Sequence, residues 1–208
     1  MKQPAALMVA AAIWLSAIAL AFGQTVANNS FELPPLTPNS FLYDPSDPGW
    51  IFTGNAGIIN APGAGFFGPA APDGGQYAFL QSGGKSGAFS QSINFSLSGT
   101  FLLSYLVAGR SDNGQGAAGD LNYQVLLDST IIAIDATTTS QPFTTRVIQF
   151  NAGAGSHILT FAVSPGATGD NAAFFDSIAI TVPEPTSSLL VLTFAPLLSI
   201  ARRIRRRN

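Results

Sequence analysis

Apolar and polar residues alternate with a period of two through much of the chain between residues 25 and 182. The clearest stretches are Gly87–Phe95, Leu121–Asp128 and Phe174–Val182, whereas Thr100–Ala108 is apolar on both sides. Side chains of a β-strand point alternately to opposite faces, so this period predicts half-buried strands and no long helix. Shorter strands are predicted at Ser30–Leu33, Trp50–Phe52, Gly57–Ile59, Gln76–Gln81, Ile131–Asp135, Phe143–Phe150 and His157–Val163.

Turn signals separate these strands. Asp128-Ser129 and Ala152–Gly155 predict tight hairpins, and the two longest loops are Pro34–Gly49 and Gly109–Gly119. About ten short strands with glycine-rich turns are typical of two packed antiparallel sheets. The sequence therefore predicts an all-β domain over residues 24–182, an antiparallel two-sheet β-sandwich with jelly-roll topology.

Charge and cysteine content exclude several kinds of function. Residues 24–182 contain three Lys or Arg and ten Asp or Glu, and binding to a phosphate backbone needs clustered basic residues. We therefore expect no nucleic acid partner. The chain has no cysteine, which excludes a thiol nucleophile, a disulfide framework and a zinc–thiolate site.

Residues 1–23 have the pattern of a signal peptide. A single lysine precedes the apolar run 5–22, and Ala21 and Gly23 are small residues at the spacing that signal peptidase requires. The pattern predicts cleavage before Gln24 and export across the inner membrane. An uncleaved membrane anchor is the alternative.

Residues 183–208 combine three features in order. Pro183, Glu184 and Pro185 form an extended hinge, and residues 187–201 are apolar and uncharged. Snorkelling arginines extend the predicted transmembrane helix to residues 187–204, and a basic cluster lies at its end. The positive-inside rule keeps that basic cluster cytoplasmic. It consists of Arg202, Arg203, Arg205, Arg206 and Arg207.

This order resembles the PEP-CTERM sorting signal of Gram-negative bacteria. The resemblance implies processing by an exosortase-type enzyme after transient anchoring in the inner membrane, followed by release to the cell surface or the extracellular matrix. It also implies extracellular polysaccharide as a partner. An ordinary tail anchor preceded by a proline linker is the alternative.

The body is similar to galactose-binding-like jelly rolls, the fold of many carbohydrate-binding modules. The similarity rests on the opening NNSFELP, on Asp47-Pro-Gly-Trp50 and on the closing stretch DNAAFFDSIAI. In that family a structural calcium ion is often held near the first and last strands, which implies Glu32 and Asp176 as ligands here. Two solvated acids at strand ends are the alternative, because calcium needs six to eight oxygen ligands.

Candidate ligand-binding residues combine aromatic rings and hydrogen-bonding groups. The loop after Gly109 contains Arg110, Asp112 and Asn113, whose side chains could bind sugar hydroxyls. Trp50, Tyr43 or Tyr77 could stack on a sugar face. A flexible polar connection is the alternative for this loop.

No catalytic motif stands out in the sequence. His157 is the only histidine, a Gly-x-Ser-x-Gly elbow is absent, and nothing singles out a pair of carboxylates. The sequence therefore predicts a non-catalytic exported protein of the cell surface or matrix that associates with polysaccharide. A purely structural matrix or adhesion protein and a polysaccharide hydrolase are the alternatives.

Overall fold

The computed structural model describes residues 23–60, 62, 65–84, 86–112 and 120–183, and within these ranges the chain forms eleven strands. The described ranges contain no helix that is long and apolar enough to cross a membrane. The strands are β1 (Phe41–Tyr43), β2 (Ile51–Thr53), β3 (Ala56–Asn60), β4 (Gln76–Gln81), β5 (Ala88–Phe95), β6 (Gly99–Gly109), β7 (Leu121–Leu127), β8 (Thr130–Thr137), β9 (Thr144–Ala152), β10 (Gly155–Val163) and β11 (Ala172–Thr181).

The strands form two antiparallel sheets. Sheet A has the order β1-β3-β4-β11-β6-β9, and sheet B has the order β2-β5-β10-β7-β8. The predicted all-β, two-sheet jelly-roll sandwich is confirmed. The signal peptide predicted at residues 1–23 and the sorting signal predicted at residues 183–208 lie outside the described residues, apart from Gly23 and Pro183.

One predicted hairpin is present, and three local predictions are wrong. Asp128 adopts a positive φ of 55° in the turn of the β7–β8 hairpin. The stretch Ala152–Gly155 is not a hairpin, because β9 belongs to sheet A and β10 to sheet B, so residues 153–154 connect the two sheets. Ser30–Leu33 is not a strand, because Phe31 has a φ of 59°, far from extended geometry. Conversely, β1 lies within the segment predicted as the loop Pro34–Gly49.

The core lies between the sheets and is dominated by aromatic rings. Phe161 on β10 stacks on Phe89 of β5, with ring centroids 5.0 Å apart. Phe175 on β11 of the opposite sheet lies 5.4 Å from Phe161 and 5.5 Å from Phe89. All three rings are fully buried. These contacts across the two layers hold a domain without cysteine together by apolar burial.

A polar chain connects the two sheets along one open side of the sandwich. The hydroxyls of Tyr105 on β6 and Tyr123 on β7 lie 3.1 Å apart, and Tyr123 donates to Asp135 at 3.2 Å. Arg146 on edge strand β9 donates through Nε to Asp135 on edge strand β8. Burial raises the pKa of Tyr105 to about 12 and also raises the pKa of Tyr123. Both phenols therefore stay protonated at neutral pH and link β6 to β7, while the Arg146–Asp135 ion pair joins β9 to β8.

Candidate functional site

A second apolar cluster covers the outer face of sheet A. Side chains that alternate with the core residues, such as Phe79 on β4 and Phe174 on β11, pack there under Phe66. Phe66 belongs to the segment 65–75, which lies directly on the sheet: Tyr77 donates to the carbonyl of Pro69 at 3.0 Å. Gly68 touches that same tyrosine, so a side chain at Gly68 would collide with it. The segment therefore forms a fixed cover rather than a free loop.

Four aromatic rings meet at the β1 end of this cluster. Phe66 lies 4.6 Å from Phe79 and 5.1 Å from Phe41, and Tyr43 lies 5.1 Å from Phe79, measured between ring centroids. Phe41 and Tyr43 are 44% and 38% exposed. The rings of Phe41 and Tyr43 therefore offer apolar surface to a molecule that approaches from solution.

Arg110 closes the other side of this aromatic group. It directly follows β6, and its backbone bonds to Ala172 and Ser140 fix its position. The buried guanidinium lies 5.3 Å from the centroid of Phe66, a cation–π contact, and its Nη1 lies 3.1 Å from Oδ1 of Asp170. The Arg110 Nε–H has no partner among the described residues. The carboxylate of Asp170 is 58% exposed, so the neutralised pair faces solution on its acidic side.

A chain of hydrogen bonds connects this ion pair to β1. Gln81 donates through Nε2 to Oδ1 of Asp170, and Tyr43 donates to Oε1 of Gln81. Burial raises the pKa of Tyr43, the charge of Asp170 adds to that, and Arg110 partly offsets it. The phenol therefore stays protonated. We call this group the aromatic–arginine site: Phe41, Tyr43, Phe66, Phe79, Gln81, Arg110 and Asp170.

The aromatic–arginine site can bind an uncharged molecule with apolar and hydrogen-bonding parts, and can move a proton. The side-chain contacts of Asp170 with Gln81 and Arg110 both use Oδ1, and the side chain is 58% exposed, so Oδ2 is accessible for proton transfer. The aromatic faces can stabilise positive charge that develops nearby. Within the described ranges, no group of three or more His, Cys, Asp or Glu is placed to hold a metal ion.

Of the residues predicted to bind ligand, the structure places Arg110 and Tyr43 in the aromatic–arginine site. Asp112 is exposed two residues further along the chain, and Asn113 lies outside the described residues. Trp50 and Tyr77 are buried: Trp50 packs against Phe89 and donates to the carbonyl of Asn28, and Tyr77 lies beneath the segment 65–75. Neither ring offers a face to solution, which corrects the expectation that they stack on a sugar.

The two acids implied as calcium ligands meet around one turn. Oε1 of Glu32 accepts from the backbone N–H groups of Gly75 and Gln76, and Asp176 accepts from those of Asp73 and Ser177. These N–H groups occupy carboxylate oxygens that a calcium ion would need, and the set falls short of six to eight oxygens. Calcium therefore stays a prediction, and no step below depends on it.

Sequence reasoning missed most of the aromatic–arginine site. Phe41, Phe66, Gln81 and Asp170 come from four separate segments, and only the fold brings them together. One signal was present: Phe41–Tyr43 is a run of three apolar residues inside the proline-rich stretch. Three aromatic or aliphatic residues there would be unusual for a solvated loop.

The chain is thus an all-β jelly-roll domain that carries a group of aromatic rings and an ion pair between a buried arginine and an exposed aspartate on the outer face of one sheet. Residues 23–164 match the family model "HpiC1-like: HpiC1 cyclase". The match covers more than half of the chain, which therefore belongs to the HpiC1-like family. No curated protein matches the chain.

Solved structures share the fold at low sequence identity. A cyclase from Fischerella sp. TAU is 20% identical, with 80% of this chain and 100% of that chain covered and a TM-score of 0.56. A family 35 carbohydrate-binding module from Clostridium thermocellum is 17% identical, with 68% and 97% covered and a TM-score of 0.41. TmCBM61 in complex with β-1,4-galactotriose is 13% identical, with 76% and 97% covered and a TM-score of 0.47.

The expectation of a non-catalytic protein is wrong. The family model is that of a cyclase, and a cyclase is among the proteins of similar fold. The family match points to an enzymatic function. The sequence contained no recognisable motif for it because the candidate groups are dispersed along the chain.

Proposed function

We propose that this protein is an enzyme that closes rings in an unsaturated, largely apolar substrate bound at the aromatic–arginine site. The observation that carries the proposal is the exposed carboxylate of Asp170 beside the aromatic rings of Phe41, Tyr43 and Phe66. The membership of the chain in a cyclase family supports the reaction class. Aromatic walls suit a substrate whose own π electrons form the new bond.

Each group at the site has a role in such a reaction. Ring closure by an alkene begins when a proton adds to one double bond; a second π system then attacks the resulting cation, and loss of a proton completes the product. No atoms are gained or lost overall. The exposed carboxylate of Asp170 takes up a proton from solution and delivers it to the double bond, and the carboxylate formed in this way accepts the last proton and returns it to solution. Arg110 and Gln81 hold this carboxyl in place, and the aromatic faces stabilise the cationic intermediate.

The test is conversion of alkenyl-substituted aromatic compounds into isomers of unchanged mass, followed by liquid chromatography and mass spectrometry. We expect Asp170→Asn to lower the rate by on the order of 10² to 10⁴-fold, because the amide cannot exchange the proton. Asp128→Asn is the matched control, since Asp128 lies in the β7–β8 turn of sheet B. Full activity of Asp170→Asn, or no isomer from any compound with the wild-type protein, would reject the proposal.

We also propose that the protein is exported and sorted to the cell surface or extracellular matrix of a Gram-negative bacterium. Support comes from the sequence pattern of residues 1–23 and 183–208, which lie almost entirely outside the described residues and outside the family match. Signal peptidase and an exosortase-type enzyme would be the processing partners, and the inner membrane a transient one. Recovery of the uncleaved chain from the cytosol of fractionated cells would contradict this destination.

Association with extracellular polysaccharide is the second proposed activity. It is favoured by an outer face of sheet B on which the strands present no ionisable side chain. A surface of this kind can be covered by a neutral polymer without the cost of desolvating charges.

A further inference from the structure

A cavity of about 420 Å³ lies at one edge of sheet B, away from the aromatic–arginine site. Its walls come from three parts of the chain: the first described residues, the stretch before β2, and β5. They include Thr25, Asp47, Trp50, Ile51, Gln91 and Ser92. Neither proposed activity so far uses this cavity.

The polar walls of this cavity are held rigidly. Asp47 accepts from the backbone N–H groups of Gly49 at 2.6 Å and Trp50 at 2.9 Å, and from Nδ2 of Asn28. Gln91 is 5% exposed and bonds both to N–H and to C=O of Ala27, at 2.8 and 2.9 Å. The polar groups are therefore already in place, and binding would not require them to be ordered.

The cavity opens onto the outer face of sheet B, because Ser92 and Ile51 belong to both. All strands of sheet B lie within the described residues. The positions of these strands that face outward carry only Ser, Thr, Asn, Gln, Ala, Ile and Leu. The hydroxyls of Ser92 on β5 and Ser156 on β10 lie 2.7 Å apart, and Asn94 is the register partner of Ser156. Ile51 and Ile158 add exposed apolar surface, at 68% and 43% exposure.

We propose that this cavity and the adjoining outer face of sheet B form a binding site for a neutral polysaccharide. The cavity holds one sugar residue, and the serine and asparagine side chains of β5 and β10 bond to hydroxyls of its neighbours. A sugar hydroxyl both donates and accepts, which matches a surface of hydroxyls and amides. Residues 24–182 carry ten acidic and three basic groups, an excess of seven negative charges, which disfavours an acidic polymer.

This inference rests on the proposed association with polysaccharide and is independent of the ring-closing activity. The probe is retardation of the full-length chain, in neutral detergent, by native gels that contain dextran, amylose or β-1,4-galactan. Gels that contain alginate, an acidic polysaccharide, are the negative control. We expect at least one neutral polymer to retard the wild-type protein and alginate to leave it unaffected.

The variants Ser92→Arg and Ser156→Arg place a bulky charge on the proposed surface. Both positions are exposed, so the fold should survive, which a thermal melt checks. We expect each to weaken retardation by about tenfold or more, equivalent to about 1.4 kcal/mol. Thr145→Arg is the matched control, because Thr145 is an exposed residue on β9 of sheet A.

The outcomes separate the two levels of the proposal. Retardation of Ser92→Arg and Ser156→Arg equal to that of wild type would overturn the site and leave polysaccharide association standing. If no neutral polymer retards the wild-type protein, the association itself fails. A dimer in solution that Ser92→Arg dissociates would overturn the site by making this face an interface between two copies.

Discussion

Phe161→Ala is expected to lower the free energy of unfolding by about 3–5 kcal/mol, the range for removal of a buried phenylalanine ring. Phe161 is stacked on Phe89 and also contacts Tyr105 and Phe175, at 5.1 and 5.4 Å between centroids. These partners come from both sheets, so the cavity left behind could not be closed by movement of one strand. Urea denaturation followed by tryptophan fluorescence measures the change.

Ile158→Ala is the matched control for this prediction. Ile158 lies on the same strand but faces solution and is 43% exposed, so the cost should stay below about 1 kcal/mol. A loss of less than 1 kcal/mol for Phe161→Ala would mean that the aromatic contacts between the sheets do not carry the stability of the domain.

Asp176→Asn is expected to change how stability depends on pH. Asp176 is fully buried on β11. Burial raises the pKa of its carboxyl to about 7, the charges of Asp73 and Glu32 add to this, and the N–H bonds from Ser177 and Asp73 oppose it. A carboxyl with a raised pKa in the folded protein binds more protons folded than unfolded. Stability is therefore highest below the unfolded value near 3.8 and is lost as the pH rises to about 7.

The asparagine side chain does not titrate, so the variant lacks this loss. Relative to wild type, its free energy of unfolding should rise between pH 4 and pH 7, by up to roughly 4 kcal/mol for a shift of this size. Urea denaturation at several pH values, in the presence of a chelator, measures the difference. A difference that stays constant across this window would contradict the raised pKa.

Two further measurements sharpen the result. Asp128→Asn should behave in the opposite way: hydrogen bonds from the backbone of Ile158 and from His157 lower the pKa of Asp128, so its contribution is lost only as the pH falls through the acidic range.

Excess calcium in place of the chelator tests the predicted calcium site. A bound cation would hold Asp176 ionised and reverse the sign of the trend.

The sequence pattern predicted the architecture because the period of two is a local property. Each strand such as Leu121–Leu127 shows it independently, and turns such as Asp128-Ser129 show where the chain reverses. The strand predicted at Ser30–Leu33 is absent for a local reason that the apolar–polar alternation does not show. The side chain of Phe31 is buried although its φ is positive and its backbone is not part of a strand. At this residue, burial of an apolar side chain therefore did not indicate an extended backbone.

The aromatic–arginine site could not be predicted in the same way. Tyr43, Gln81 and Asp170 are adjacent because β1, β3, β4 and β11 are neighbours in sheet A, which is a matter of register over long sequence distances. Trp50 and Tyr77 show the reverse problem. Aromatic residues are equally suited to a core and to a binding surface, and the sequence alone does not distinguish the two.

The aromatic–arginine site and the outer face of sheet B lie on opposite sides of the sandwich. A copy immobilised on a polymer through sheet B would keep the rings of sheet A turned toward the surrounding medium. Small molecules could then diffuse to and from the catalyst while the catalyst itself stayed in place. In the proposed scheme, the two-layer architecture would separate attachment from turnover within one β-sandwich.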